Sequence, residues 1–404
     1  YTCHSHRDEW HEPQSCAATF KDRGGSHCVG CHYVRKVKEA KLARVGVYNY
    51  YTYMSLKLHS SVVIFDEAHK VLDTIRALSA KKLWQFQHLY PDWVRTYSTL
   101  HRWVQGKAAH SDKKIFQELK EDLEMNSRKY LVKRGEETYR GESRDCLSLM
   151  PLDVADQPPV FWPKKVKKIV LMSGTISYKD IEAMGLDKRR VCYIDLPSPI
   201  APEARPVIYQ PVASMSWANQ DANLEKLAHH LAHVAAHEEG KGLVHITYGL
   251  AQKLRPLLPQ KRFMWHDSTN KLEVYKEFRE TKEPKILMGS GLYEGIDLYG
   301  EDYQWQIITK VPYPSLAEPA IKFKTEKDPV WYHWETVKNV IQACGRICRG
   351  PEDSGTTYII DSSWRKLYDS CVKEELLPKW WLDAYKEHNV APEHTDVHLS
   401  TGTR

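Results

Sequence analysis

The sequence predicts an α/β chain of two domains, each built on a parallel sheet. Three observations predict it. The run VVIF (62–65) is continuously apolar and ends in two carboxylates, the form of a strand buried on both faces rather than half-exposed. Beyond residue 206 strand-like and helix-like segments alternate, the pattern of a doubly wound sheet. Between these regions lies LPSPIAPEARP (196–206), whose four prolines in eleven residues mark a linker.

Each segment follows from its pattern. Residues 1–34 are rich in Cys, His, Gly and charge without periodicity, a module held by something other than an apolar core. Residues 35–57 read as a helix running into a short strand, VGVYNY, before the strand at 62–65. Residues 76–149 are long, charged and studded with Trp and Tyr, with almost no interior Gly or Pro, and read as a helical insertion. A strand returns at KKIVLM and the linker follows. The expected series is then helix 222–238, strand GLVHITY, a helix, strands KILMGS and QWQIITK, helix 331–344, strand TTYIID and a helix from Trp364. The domain expectation is a module at 1–34, a first domain at 35–75 and 150–198, the insertion at 76–149, and a second domain at 199–404.

Composition narrows the function classes. Hydrophobic residues are 42% and charged residues 27%, ordinary for a chain that buries a core. No apolar run approaches the ~20 residues of a membrane span, and the polar start YTCHSHRDEW is no signal peptide. These features predict a cytoplasmic or nucleoid-associated protein with no membrane partner. The first residue is not Met, so the chain is expected to be a fragment. Net charge is +6, but residues 1–150 hold 25 Lys+Arg against 18 Asp+Glu, so the excess lies N-terminally. That asymmetry suits a polyanionic partner as well as a solvated helical surface. Four of nine cysteines (Cys3, Cys16, Cys28, Cys31) fall within the first 31 residues, a pattern for one local metal site in a reducing compartment rather than a disulfide framework.

Four motifs carry chemistry. Asp66-Glu67-Ala68-His69 follows the strand directly. Adjacent carboxylates there suit nucleoside-triphosphate hydrolysis, Asp66 holding Mg²⁺ through its water shell and Glu67 orienting the attacking water, with His69 sensing the γ-phosphate. The plain alternative is an acidic helix N-terminus. Ser173-Gly174-Thr175 places small hydroxyl residues at a strand end. Gly291-Leu-Tyr-Glu294-Gly295-Ile-Asp297 is a Gly-spaced acidic loop. Gln342-Ala-Cys-Gly-Arg346-Ile-Cys-Arg349 sets two arginines three apart, expected on one helical face, where they clamp a triphosphate or form a surface pair. The spacing C-x12-C-x11-C-x2-C suits either a [4Fe–4S] cluster or tetrahedral Zn²⁺. His4, His6, His11, His27 and His32 keep a mixed zinc site open. Tyr48, Tyr50, Tyr51, Trp84, Trp93, Trp103 and Tyr139 accompany the positive charge, as a set in the manner of single-strand binding surfaces, though each alone is more readily a core residue.

Taken in order, CHY (31–33), VYNYYTYM, VVIFDEAH, SGT, EGID, PYP (312–314) and QACGRICR resemble the XPD/DinG family of superfamily 2 iron–sulfur DNA helicases, from about residue 3 to 370. The resemblance implies two RecA-like domains, with the metal-cluster module and a helical arch inserted in the first. It implies ATP and Mg²⁺ between the domains, Asp66 and Glu67 on one side and Arg346 and Arg349 on the other. By the same resemblance Gln342, Glu294, Gly295, Asp297, Gly174 and Thr175 are expected to contact nucleotide, and Cys3, Cys16, Cys28 and Cys31 to hold the [4Fe–4S] cluster. Single-stranded and forked DNA, 5′→3′ translocation, a DNA-repair setting and no required oligomer follow from the same likeness. Three features depart from the family. His32 stands where the family has Pro, Asp361-Ser362-Ser363 matches its DSR imperfectly, and no Gly-rich GK[ST] loop occurs, Gly240-Lys241-Gly242 lacking the hydroxyl residue. The missing loop predicts an ATPase-incompetent piece, or a nucleotide-independent DNA-binding remnant with a zinc module. A nuclease has only Glu280-Thr-Lys282 to offer.

Overall fold

The computed structural model describes residues 32–56, 60–109, 113–125, 129–139, 141–154, 166–259, 261–291, 298 and 303–388. The chain divides into two compact units. One comprises residues up to Val191 with Leu316–Lys327; the other runs from Cys192 to Ser315 and onward from Asp328.

The first unit opens with helices α1 (His32–Leu42) and α2 (Tyr50–Leu56), strand β1 (Val62–Phe65) and helix α3 (Val71–Ser79). The segment expected as strand VGVYNY is not extended ladder; its last residue starts α2. Tyr50 and Tyr53 lie three apart on one helical face and both meet the Phe65 ring edge-on, at 5.4 and 5.8 Å. Their spacing serves burial only as a helix.

Residues 76–149, expected to be helical, combine helices with an antiparallel sheet. Strand β2 (Lys81–Trp84) is followed by α4 (Gln85–His88), α5 (Tyr97–Ala108) and α6 (Lys114–Lys120). Strands β3 (Tyr130–Tyr139) and β4 (Glu142–Pro151) then form a hairpin, and the sheet order is β2-β4-β3. The physical reason is visible at the C-terminal end of β4. There Leu147, Leu149 and Pro151 alternate inward against α5 and α6, burying Trp103, Phe116 and Leu119, while the charged half of the hairpin stands in solvent. Gly141 turns the hairpin at φ 85°, a conformation that favours glycine. Beneath it, Asp122 is buried but accepts from the Tyr130 hydroxyl (2.7 Å) and pairs with Lys81 (3.0 Å).

Strand β5 (Lys168–Leu171) lies parallel to β1, Val62 opposite Lys168 and Phe65 opposite Leu171, and α7 (Tyr178–Ala183) follows. One face of this pair is covered by Met54, Val71, Ile75 and Met184. On the other, Val62, Ile64, Val170 and Met172 are between 42% and 61% exposed.

The second unit is a seven-stranded parallel sheet. In chain order it runs β6 (Val207–Ala213), α8 (Leu224–His237), β7 (Lys241–Ile246), α9 (Tyr248–Leu254), β8 (Phe263–Trp265), α10 (Lys271–Glu280), β9 (Ile286–Ser290) and β10 (Tyr303–Ile308). Helix α11 (Pro319–Lys327) clusters with the first unit. Then come α12 (Pro329–Cys344), β11 (Thr356–Asp361), α13 (Trp364–Lys373), α14 (Lys379–Leu382) and β12 (Tyr385–Glu387). The spatial order is β12-β6-β11-β10-β7-β9-β8. Both faces are buried, and successive residues show it. Ile307 and Ile360 pack with α8 and α9, whereas Ile308 and Ile359 pack with Trp334, Val337, Trp364 and Trp381 on the opposite side.

Candidate active-site residues

At the end of β1 the chain turns within two residues. Glu67 takes left-handed geometry (φ 51°, ψ 47°), which costs a non-glycine residue about 1–2 kcal/mol. The surrounding bonds hold it there. Met172 N donates to Phe65 O and Ala68 N to Met172 O, both at 2.8 Å, carrying the parallel ladder past the turn. Glu67 N donates to the Asp66 carboxylate at 3.0 Å. The turn leaves both acidic side chains exposed, as water activation and metal binding require.

His69 is nearly buried and links this turn to the end of β5. Its Nδ1 lies 2.8 Å from Ser173 Oγ and 3.3 Å from the Glu67 carboxylate. Ser173 Oγ in turn accepts from Thr175 N at 3.1 Å and lies 3.3 Å from Thr175 Oγ1. Glu67, His69, Ser173 and Thr175 thus form one polar chain across a sequence gap of more than a hundred residues. Open space surrounds the position a Gly174 side chain would fill, so core packing does not demand glycine there. The Tyr50 hydroxyl donates to the Asp66 carbonyl; burial first, then the charges of Asp66 and Glu67, push its pKa up to about 12, keeping it a donor.

In the second unit the expectation that Arg346 and Arg349 share a helical face is corrected. Helix α12 ends at Cys344, with Gly345 as its C-cap, and both arginines lie in the irregular segment beyond. The cause is burial of Ile347 and Cys348 in a core with Leu243, Leu287 and Phe278, which draws the backbone off the helical path. Arg346 Nε donates back to Gln342 O at 3.2 Å. Arg349 is exposed, and its backbone N–H and that of Gly350 donate to the Asp353 carboxylate at 2.8 and 2.7 Å. Gln342 is half-buried on the last turn of α12.

Of three buried polar groups, the motif reading met Asp361 only as an imperfect DSR match and missed His245 and Gln306. Asp361, 1% exposed, accepts from Met215 N and Ser363 N (both 3.0 Å) and Val311 N (2.9 Å), tying together the segments after β6, β10 and β11. His245 and Gln306 are fully buried and bonded to each other at 3.0 Å. The available signal was polar side chains inside otherwise apolar strands. Of the aromatic set, Trp103 is core, Tyr48 bonds Ala40 O, and Trp84 packs at a tilt against Tyr139 with ring centroids 4.8 Å apart, while Tyr51 and Trp93 are about half exposed. Glu294, Gly295 and Asp297 lie outside the described residues, as do Cys3, Cys16, Cys28 and Cys31. Among the described residues no group of three or more His, Cys, Asp or Glu is placed to hold a metal ion, and no helix is long and apolar enough to cross a membrane.

Residues 237–383, which carry Gln342, Arg346 and Arg349, match the family model of the helicase C-terminal domain. The chain is 23% identical over 235 residues to the ATP-dependent DNA helicase YoaA of Escherichia coli, covering 54% of this chain and 36% of that protein. It is 27% identical over 103 residues to a regulator of telomere elongation helicase 1 homolog of Caenorhabditis elegans, covering 22% of this chain and 10% of the other. The chain therefore spans about a third of the bacterial relative and a tenth of the nematode one. Among solved structures, an XPD helicase aligns over 94% of this chain and 79% of its own at TM-score 0.57 and 15% identity. An apo XPD structure aligns over 84% and 81% at TM-score 0.51 and 15% identity. Residues 237–383 are thus similar to a helicase C-terminal domain, and the fold is similar to that of XPD helicases, whose RecA-like parallel sheet the second unit matches.

Proposed function

We propose that this chain is the motor portion of an ATP-dependent DNA helicase that moves 5′→3′ on single-stranded DNA and opens forked duplexes. The observation that carries the reading is the Glu67–His69–Ser173 chain at the ends of β1 and β5. It ties an exposed carboxylate to a buried imidazole and to the next strand, so a change at the phosphate is felt across both strand ends. Glu67 orients and deprotonates the attacking water. His69 holds the Glu67 carboxylate and relays its state to Ser173. Arg346 and Arg349 take up charge developing on the γ-phosphate.

The donor set fits Mg²⁺, which is held by one or two carboxylates plus waters and phosphates; Asp66 would bind it, and the ion would neutralise phosphate charge. The metal module at Cys3, Cys16, Cys28 and Cys31 is proposed to hold a [4Fe–4S] cluster, with zinc as the competing occupant. A phosphate-binding loop with GK[ST] is absent from the 404 residues, and we propose that a further α/β segment supplies it. The exposed apolar face of β1 and β5 supports this, because parallel sheets are ordinarily covered on both sides.

The test is ATP turnover and strand separation by this chain together with any residues encoded ahead of Tyr1. Glu67→Gln should retain ATP binding and abolish turnover; unchanged turnover refutes the role of Glu67. DNA binding that persists with no nucleotide dependence in the unsubstituted protein supports the nucleotide-independent remnant instead. Iron, sulfide and zinc contents of anaerobically purified protein decide the module: about four irons per chain for the cluster, one zinc for the alternative.

A further inference from the structure

Strand β10 carries one fully buried amide in an apolar setting: Gln306 stands between Trp305 and Ile307, all three inaccessible or nearly so. Its Nε2 donates to Ala343 O (2.9 Å), Cys344 O (3.1 Å) and Thr357 Oγ1 (2.8 Å). Ala343 and Cys344 are the last residues of α12, past which no further helical turn supplies donors, though Ala343 O also accepts from Arg346 N at 3.1 Å. Gln306 is therefore a side-chain cap for the helix end, supplied by a strand from the middle of the sheet. Its other atom, Oε1, can only accept. It faces His245 Nε2 at 3.0 Å, so His245 carries its proton there. His245 is itself anchored: its carbonyl accepts from Thr309 N at 3.1 Å and Thr309 Oγ1 at 2.7 Å.

Arg346 leaves α12 two residues past the capped carbonyls, and its Nε returns to Gln342 O on the last turn. Its carbonyl accepts from Leu298 N at 3.2 Å. The arginine segment departs from the last turn of α12, whose end is set by Gly345 and the burial of Ile347 and Cys348 and whose final carbonyls Gln306 holds in place. We propose that Gln306, oriented by His245, is a positioning residue for Arg346 and Arg349. The inference rests on the reading of those arginines as nucleotide-facing groups, but its structural part stands apart from that reading.

The test separates the two. In the purified chain, solvent exchange of the Arg346 Nε–H is followed by NMR, with Arg346→Lys identifying the signal. Gln306→Leu should raise that exchange at least tenfold while near-UV circular dichroism stays native. A folded Gln306→Leu protein with unchanged Arg346 exchange overturns the proposal, even if its Tm falls, since a merely structural amide would lower Tm alone. Should Gln306→Leu fail to fold, Gln306→Asn keeps an amide too short to reach α12, and the same comparison decides. Mg-ATP binding is measured alongside on the chain together with the residues encoded ahead of Tyr1. Arg346→Ala and Gln306→Leu should each raise Kd at least fivefold, and the double variant should be no weaker than Arg346→Ala alone. Additive losses overturn the positioning role; no effect of Arg346→Ala refutes the functional reading and leaves the exchange result to decide the structural part.

Discussion

His245 makes the second unit sensitive to acid. Burial first, and then the positive charge of Arg346, push its pKa from the ordinary 6.5 down to about 4, against the opposing bond to Gln306. Between those values the unfolded chain binds a proton that the folded chain refuses, so folding loses stability as pH falls. The contribution is fully present above pH 6.5 and is lost progressively toward pH 4. For one such group the loss is about 2 kcal/mol between pH 7 and pH 5, and about 3 kcal/mol once the pH is below 4. Urea unfolding at pH 7, 6 and 5, followed by tryptophan fluorescence, measures it, since Trp305, Trp334, Trp364 and Trp381 are all buried in this unit. His245→Gln keeps an N–H for Gln306 and cannot titrate, so about 2 kcal/mol of the acid loss should disappear. His230, half-buried and likewise pushed down to about 4, leaves residual acid sensitivity in both proteins. Equal losses between pH 7 and pH 5 in the two proteins would refute the reasoning.

Other expectations follow from single positions. Glu67→Gly relieves left-handed strain and should raise stability by up to ~1 kcal/mol in thermal unfolding, offset in part by the freer unfolded chain, whereas Glu67→Gln should leave it unchanged. Gly242→Ala places a Cβ inside the Trp305 ring, whose Nε1 is bonded to Glu239 O; it should cost at least ~1–3 kcal/mol and shift the tryptophan emission, both read from urea unfolding. Arg349→Ala should lower steady-state ATP hydrolysis on the order of 10³-fold if the side chain neutralises transferring phosphate, with little change in Tm because it is exposed.

Much of the second unit was legible. Strands such as ILMGS and TTYIID are short apolar runs between helical periodicities, and a sheet covered on both faces needs that composition whatever its strand order. The insertion was not legible as sheet, because much of β3 and β4 is charged and stands beyond the core, where nothing local distinguishes it from a solvated helix. The arginine pair was legible as a motif but not as geometry. Its three-residue spacing fits a helical face, yet Gly345 and the apolar pair Ile347 and Cys348 end the helix first.

By itself the sequence determined where strands and helices alternate in the second unit and which acids close β1. Side-chain periodicity and backbone stereochemistry are local properties, carried by neighbouring residues. The tertiary structure alone decided that His69 meets Ser173, that Glu67 is held left-handed by the ladder to Met172, and that Gln306 bonds the last carbonyls of α12. Each of those depends on residues tens to more than a hundred positions apart, brought together only because burying polar groups leaves them a bond to find.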